Sequence, residues 1–211
     1  MTHETAAPPT APALPVNEGL DARTRWAQGI TNAIEPKNII LAVVPIIGLA
    51  RNGLPGLLWA AFAVVFAAIV PTWFIRRGVR EDRWTDRHVG ERKKRLIVIP
   101  FIMCSVLVSA VVMLVAGAPR PLLAMVAAMF ATLVSIMAIT VVWKVSVHTA
   151  VSAGAITVLA IALSPWWAVG YLLVALVAWS RVVLRDHTPA QTIVGTVVGT
   201  VTAGLVFWLC Q

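Results

Sequence analysis

The sequence predicts an all-α protein, a polytopic bundle of six to seven transmembrane helices. Of its 211 residues, 59% are hydrophobic and only 12% are charged, against about 25% charged in a soluble domain. The mean hydropathy is +0.86, which leaves too little polar surface to wrap a water-soluble globule. The apolar residues also gather into long runs, and a bilayer crossing needs roughly 20 of them. In hydrocarbon each run must satisfy its own backbone groups, so each is expected to be a helix.

The runs follow one another between charged, proline and glycine punctuation. Ile39 to Ala50 is short, contains Pro45, and reaches spanning length only by borrowing from Ile34 onward. Leu54 to Ile75, Leu96 to Ala116 and Leu122 to Val142 are each long enough to cross. Val147 to Leu163 is shorter and stops at Ser164-Pro165. Trp166 to Trp179 follows, and Thr188 to Cys210 closes the chain. No internal repeat is visible. The start, MTHETAAPPTAPALPVNEG, is rich in Pro and Ala and lacks the basic-then-apolar order of a signal peptide. Residues 1–33 are expected to form a disordered tail and residues 34–211 a single membrane-embedded domain.

The formal charge of +8 lies mostly in one juxtamembrane block. Anionic lipid headgroups or phosphorylated substrates suit such a block better than nucleic acid does. Cys104 and Cys210 both sit in apolar runs and read as buried small hydrophobes, with neither disulfide nor zinc spacing.

Counting crossings gives the polar stretches a common address. The basic block Arg76 to Arg95 precedes a two-span hairpin, which returns the chain to Lys144–His148 on the same face. A second hairpin delivers Ser180 to Gln191 to that face again. Three of the four histidines, His88, His148 and His187, fall one in each stretch, each near Arg or Lys. In the first stretch, His88 and Arg95 are two helical turns apart. In the second, Ser146 can cap a helix whose free N–H groups attract anions, with His148 in its first turn and Lys144 just before it. In the third, Thr188-Pro189 is a helix start. It sets His187 at the mouth of the last helix with Gln191 one turn below. Arg181 ends the preceding helix, and a guanidinium matches phosphate geometry in a two-pronged grip. Each stretch also has a plain structural reading, as interfacial anchors, a helix cap or a snorkelling lysine. Gly195 and Gly199, four apart in the last helix, suit close helix packing.

In order and spacing these stretches resemble the type 2 phosphatidic acid phosphatase (PAP2) superfamily of membrane lipid phosphatases. That pattern is Lys-x6-Arg-Pro, then Pro-Ser-Gly-His, then Ser-Arg-x5-His-x3-Asp. The chain offers His88-x6-Arg95-Leu96, Val145-Ser146-Val147-His148 and Ser180-Arg181-x5-His187-x3-Gln191. The resemblance implies that His187 is a nucleophile forming a phosphohistidine without metal or other cofactor. It makes His148 the general acid, and Arg95, Ser146 and Arg181 the holders of the phosphoryl oxygens, with His88, Lys144 and Ser180 beside them as substrate-binding positions. The departures are His88 for lysine, with Lys144 as a substitute ammonium, Val147 for glycine, and Gln191 for the aspartate that orients the nucleophile. Gln191 can accept from the imidazole through its carbonyl oxygen, without charge, while Asp186 is expected to point elsewhere.

The implied activity is hydrolysis of a phosphate or diphosphate monoester on a lipid or polyprenyl carrier. A catalytically degenerate relative that binds anionic lipid or a protein partner is the alternative. A transporter or a prenyl-converting enzyme is disfavoured, because no ionisable residue lies mid-span and no Asp-rich diphosphate motif occurs. The positive-inside rule places the basic face on the cytoplasmic side of a multi-pass plasma-membrane protein.

Overall fold

Eight α-helices and two short irregular helical turns make up the structure, a computed structural model that describes residues 21–81 and 92–211. Among the described residues there is no strand. Helices α1 (Ala22–Ala33) and α2 (Pro36–Val64) lead into a π-helical turn (Val65–Ile69) and α3 (Val70–Arg80). Then come α4 (Arg92–Val115), α5 (Arg120–Val142) and α6 (Val147–Ala162). A 3₁₀ turn (Pro165–Gly170), α7 (Tyr171–Val183) and α8 (Pro189–Cys210) complete the chain. Five helical stretches are long and apolar enough to cross a bilayer, and α6 is a shorter apolar helix packed among them. These five stretches mark a membrane protein.

The first of the five, Pro36–Arg80, is not one rod. Gly53 has φ +61 and ψ −149, a left-handed setting that glycine alone adopts freely, and Pro55 follows it. The chain reverses there. A Cβ built on Gly48 would lie 2.5 Å from the Gly56 carbonyl oxygen and 2.8 Å from the Ala60 Cβ, so the two arms touch backbone to backbone. Lys37 and Thr72 consequently line the same cleft, whereas 35 residues of straight helix would hold them about 50 Å apart. The apolar runs on either side of Gly53 are thus two antiparallel arms. Near the end of the second arm, Pro71 lacks an N–H to donate, and the backbone widens into the π turn just before it. The Phe66 carbonyl in that turn accepts from Ser105 Oγ of α4 at 2.6 Å.

Over the first four turns of α8, large side chains face outward and small ones inward. On α8, Ile193, Val197, Val201 and Leu205 recur every fourth residue and are all more than half exposed. Thr192, Gly195, Gly199 and Ala203 on the other face are buried. Lipid tails are as apolar as leucine, so large side chains lose nothing by facing them, while small ones let backbones approach. The buried face lies on α6, where a Cβ on Gly195 would meet Thr149 Oγ1 at 2.5 Å and Ser146 O at 2.6 Å. At Gly199 an added Cβ would collide with the Ala150 carbonyl.

Two expectations are corrected. The tail does not run to residue 33, because Ala22–Ala33 is helical: Asp21 caps it by accepting from the Thr24 N–H at 2.9 Å. The helix is anchored on α7 through Thr31. The cysteines are not core residues, since Cys104 and Cys210 both face outward.

Candidate functional site

The three polar stretches meet at one end of the bundle. Arg95, near the start of α4, is 5% exposed and spans the other two. Its Nη1 donates to the Val145 carbonyl at 2.9 Å, and its Nη2 lies 3.5 Å from His187 Nε2. Lys144 Nζ donates to the Asp186 carbonyl at 2.6 Å, tying the second stretch to the third. Ser146 caps α6 by accepting from the Thr149 N–H, and its own N–H donates to the Gln191 carbonyl at 3.2 Å. His148, in the first turn of α6, is buried and lines a cleft together with Arg95.

The loop carrying His187 is shaped by the end of α7. Arg185 sits at φ +56, a left-handed helix terminus, and the Arg181 carbonyl accepts from the N–H groups of Asp186 and His187 at 3.1 and 3.2 Å. That wrap brings Asp186 Oδ2 to 3.0 Å from Arg181 Nη2. Arg181, 1% exposed, is the largest fully buried side chain among the described residues. Its partner Asp186 is partly exposed, so the pair joins a buried guanidinium to a carboxylate at the surface, and burying that guanidinium costs desolvation.

Gln191 fixes the imidazole. Its Oε1 accepts from the Thr188 backbone N–H at 3.2 Å, while Thr188 Oγ1 accepts from the Gln191 N–H at 3.3 Å, a complete capping box. A backbone N–H can only donate, so the side-chain atom facing it is the oxygen. The same oxygen lies 3.0 Å from His187 Nδ1, which must therefore carry the ring proton. Nε2 is left with its lone pair, turned toward the Arg95 guanidinium. Burial holds the His187 pKa far below the ordinary histidine range, down to about 3. Arg95, Lys144 and Arg181 push in the same direction, and the hydrogen bond to Gln191 opposes them. His187 is thus a neutral imidazole of fixed tautomer among cations, able to offer an electron pair to an electrophile that arrives with negative charge.

The remaining positions divide. Ser180 is turned away: its Oγ donates to the Val177 carbonyl at 2.8 Å and meets Thr31 Oγ1 of α1 at 2.9 Å. It anchors α1 instead of facing His187. Asp186 belongs to Arg181, and His88 lies outside the described residues. Among the described residues no group of three His, Cys, Asp or Glu side chains gathers as metal ligands would.

Sequence reasoning missed Glu35 and Lys37. They form an ion pair at the start of α2 and line the cleft with Arg95 and His148. The signal was present, because Glu35 directly precedes Pro36 at a helix start and no further acidic residue follows it until Glu81. From there the cleft continues between the two arms and α4, α5 and α6 into an apolar space bounded by Val43, Ala68, Ala128 and Ala155. Ile75, Ile102, Leu133 and Ile136 line both parts.

No protein-family model, curated protein or solved structure matches the chain.

Proposed function

We propose that the protein is a PAP2-type integral membrane phosphatase that removes phosphate, without metal, from a phosphate or diphosphate monoester of a lipid or polyprenyl carrier. One observation carries this: a buried, neutral His187 with its Nδ1 proton held by Gln191 and its Nε2 facing the Arg95 guanidinium. Phosphoryl transfer depends mainly on positioning and on neutralising the equatorial oxygens. Nε2 attacks phosphorus, the bond from phosphorus to the lipid oxygen breaks, and His148 gives that oxygen its proton. Water then attacks the phosphohistidine and passes a proton back to His148. The phosphorus–nitrogen bond breaks and orthophosphate leaves. Arg95, Arg181 and Lys144 hold the oxygens with the N–H groups at the start of α6, while Ser146 keeps that start in place. The lipid tail lies in the apolar cleft that begins beside Arg95 and His148.

The test is release of orthophosphate by purified protein in chelator from phosphatidate, phosphatidylglycerophosphate and polyprenyl diphosphate. Wild type is expected to release it and to carry an acid-labile phosphate label. His187→Ala should lose both, by about 10⁴-fold or more in rate, and full release by that variant would remove the nucleophile from the mechanism. A second reading, headgroup binding without turnover, is favoured by the neutral Gln191 where the family pattern has a carboxylate. It expects binding but no release from any of the three substrates.

We place the basic end on the cytoplasmic side of the plasma membrane, because Arg76, Arg77 and Arg80 are exposed there and lie outside the reacting groups. Gln211 is held at the opposite end, beside Arg51. A reporter fused to the C-terminus should accordingly register the far side.

A further inference from the structure

A second groove opens between α2 and α3; it shares Lys37, Thr72 and Arg76 with the cleft of Arg95 and His148 and extends from them to Leu41, Ile69 and Arg80. Its α3 wall is the stripe Thr72, Arg76 and Arg80, spaced four residues apart and so stacked on one face. Its α2 wall is Lys37 and Leu41, also four apart. Ile69 floors the end remote from the arginines. The groove is therefore graded, with cations toward the basic end of the bundle and exposed aliphatic surface toward the interior of the bilayer. Ile69 and Leu41 are 53% and 44% exposed.

The cations in it are not equivalent. Arg77 is occupied: its Nε bonds Glu81 at 2.7 Å and its guanidinium lies over Trp73 at 5.6 Å. Trp73, 58% exposed, sits where an interfacial aromatic marks headgroup depth. Arg76 and Arg80 are exposed and face the groove, and no carboxylate among the described residues pairs with either. Two guanidiniums one helical turn apart, above an aliphatic channel, match a phosphodiester with an acyl chain below it.

We propose that this groove is a second lipid site, adjoining the cleft of Arg95 and His148, that binds an anionic phospholipid. Its phosphate lies on Arg76 and Arg80, and one chain runs past Leu41 and Ile69. Free phosphate lacks the chain and is not held. Each basic residue at a membrane surface contributes on the order of 1 kcal/mol to anionic-lipid binding, so removal of both arginines should reduce anionic preference roughly tenfold to thirtyfold.

The experiment uses the full chain in phosphatidylcholine nanodiscs, with a spin-labelled phosphatidylglycerol in one arm and a spin-labelled phosphatidylcholine in the other. Wild type should immobilise phosphatidylglycerol in preference, and millimolar inorganic phosphate should not displace it. Arg76→Gln/Arg80→Gln should bring the preference down to the phosphatidylcholine level, and Arg76→Lys/Arg80→Lys should restore most of it. Arg80→Gln alone, at a residue that borders the groove and not the cleft of Arg95 and His148, should lower the preference several-fold, whereas His187→Ala should keep it whether or not the protein is a phosphatase. A preference untouched by Arg80→Gln would return the lipid to the catalytic cleft and overturn the proposal. Preference unchanged in the double glutamine variant, displacement by inorganic phosphate, or an equal loss in His187→Ala would each overturn the proposal.

Discussion

Two regions of the bundle treat space in opposite ways. Along the α6–α8 seam, Gly195 and Gly199 let backbone meet backbone, with no room for even a methyl group. Across from it, between the two arms and α4, α5 and α6, a cleft stays open although apolar side chains surround it. The closed seam carries both imidazoles: His148 in the first turn of α6, and His187 beside the first turn of α8. The open side carries no reacting group apart from the Arg95 and His148 ends of its cleft. On the proposed function, the closed seam fixes the distances between the reacting groups and the open side receives the lipid tail.

Breaking the closed seam should have the largest effect. Gly199→Val drives a side chain into the Ala150 carbonyl and must push α6 from α8. Overpacking of a tight core costs about 1–3 kcal/mol. Misplacement of reacting groups by about 1 Å costs on the order of 10²-fold in rate. We expect phosphate release to fall by that factor or more and the thermal midpoint in detergent to drop. A variant with wild-type activity would show that the seam does not set the geometry.

Filling the open side should be gentler and selective. Ala155→Phe places a ring in the apolar cleft. KM for a long-chain lipid phosphate is expected to rise about tenfold, the sort of change one or two kcal/mol of lost tail binding gives, with kcat and short-chain substrates little affected. Equal loss on both chain lengths would show that the cleft does not hold the tail.

Gln191 offers a sharper probe within the seam. Glu has the same length and can serve the same capping box, so Gln191→Glu adds a charge at 3.0 Å from Nδ1 without moving it. A carboxylate stabilises the imidazolium that develops at the nucleophile. Gln191→Glu should therefore raise the rate about tenfold and raise the pKa of His187, readable in the ring proton resonances.

The effect least visible at neutral pH is the pH dependence of stability. His187 has a folded pKa near 3, below its ordinary 6.5, so between these values the unfolded chain binds a proton that the folded one does not. Stability linked to this ring is complete above about pH 6.5 and is lost progressively as pH falls toward 3. His187→Asn should flatten that slope in acid-melting curves, and an unchanged slope would place its origin at another group.

The sequence shows the helices clearly because hydrocarbon leaves the backbone only that choice. It shows that the polar stretches share an end because crossings can be counted. Side-chain partners are less visible. The Gln191 contact to His187 could be anticipated from helix spacing, but that the Gln191 oxygen also bonds the Thr188 N–H could not. Ser180 stands one residue before Arg181, yet α7 turns its hydroxyl onto α1, a helix too polar and too short to read as part of the bundle. Glu35 and Lys37 border the cleft because the chain reverses at Gly53; the sequence marks that break between the runs ending at Ala50 and starting at Leu54, but not the backbone contact at Gly48 and Gly56 that closes the two arms on each other.

That reversal also bears on how the chain enters a bilayer. The arm 36–52 is short, contains Pro45, and has Lys37 and Arg51 near its ends, a weak candidate for insertion by itself. Joined at Gly53 and pressed together at Gly48 and Gly56, the two arms make one apolar unit, so the weak arm has a partner within its own neighbourhood of the chain and does not depend on the later helices for one.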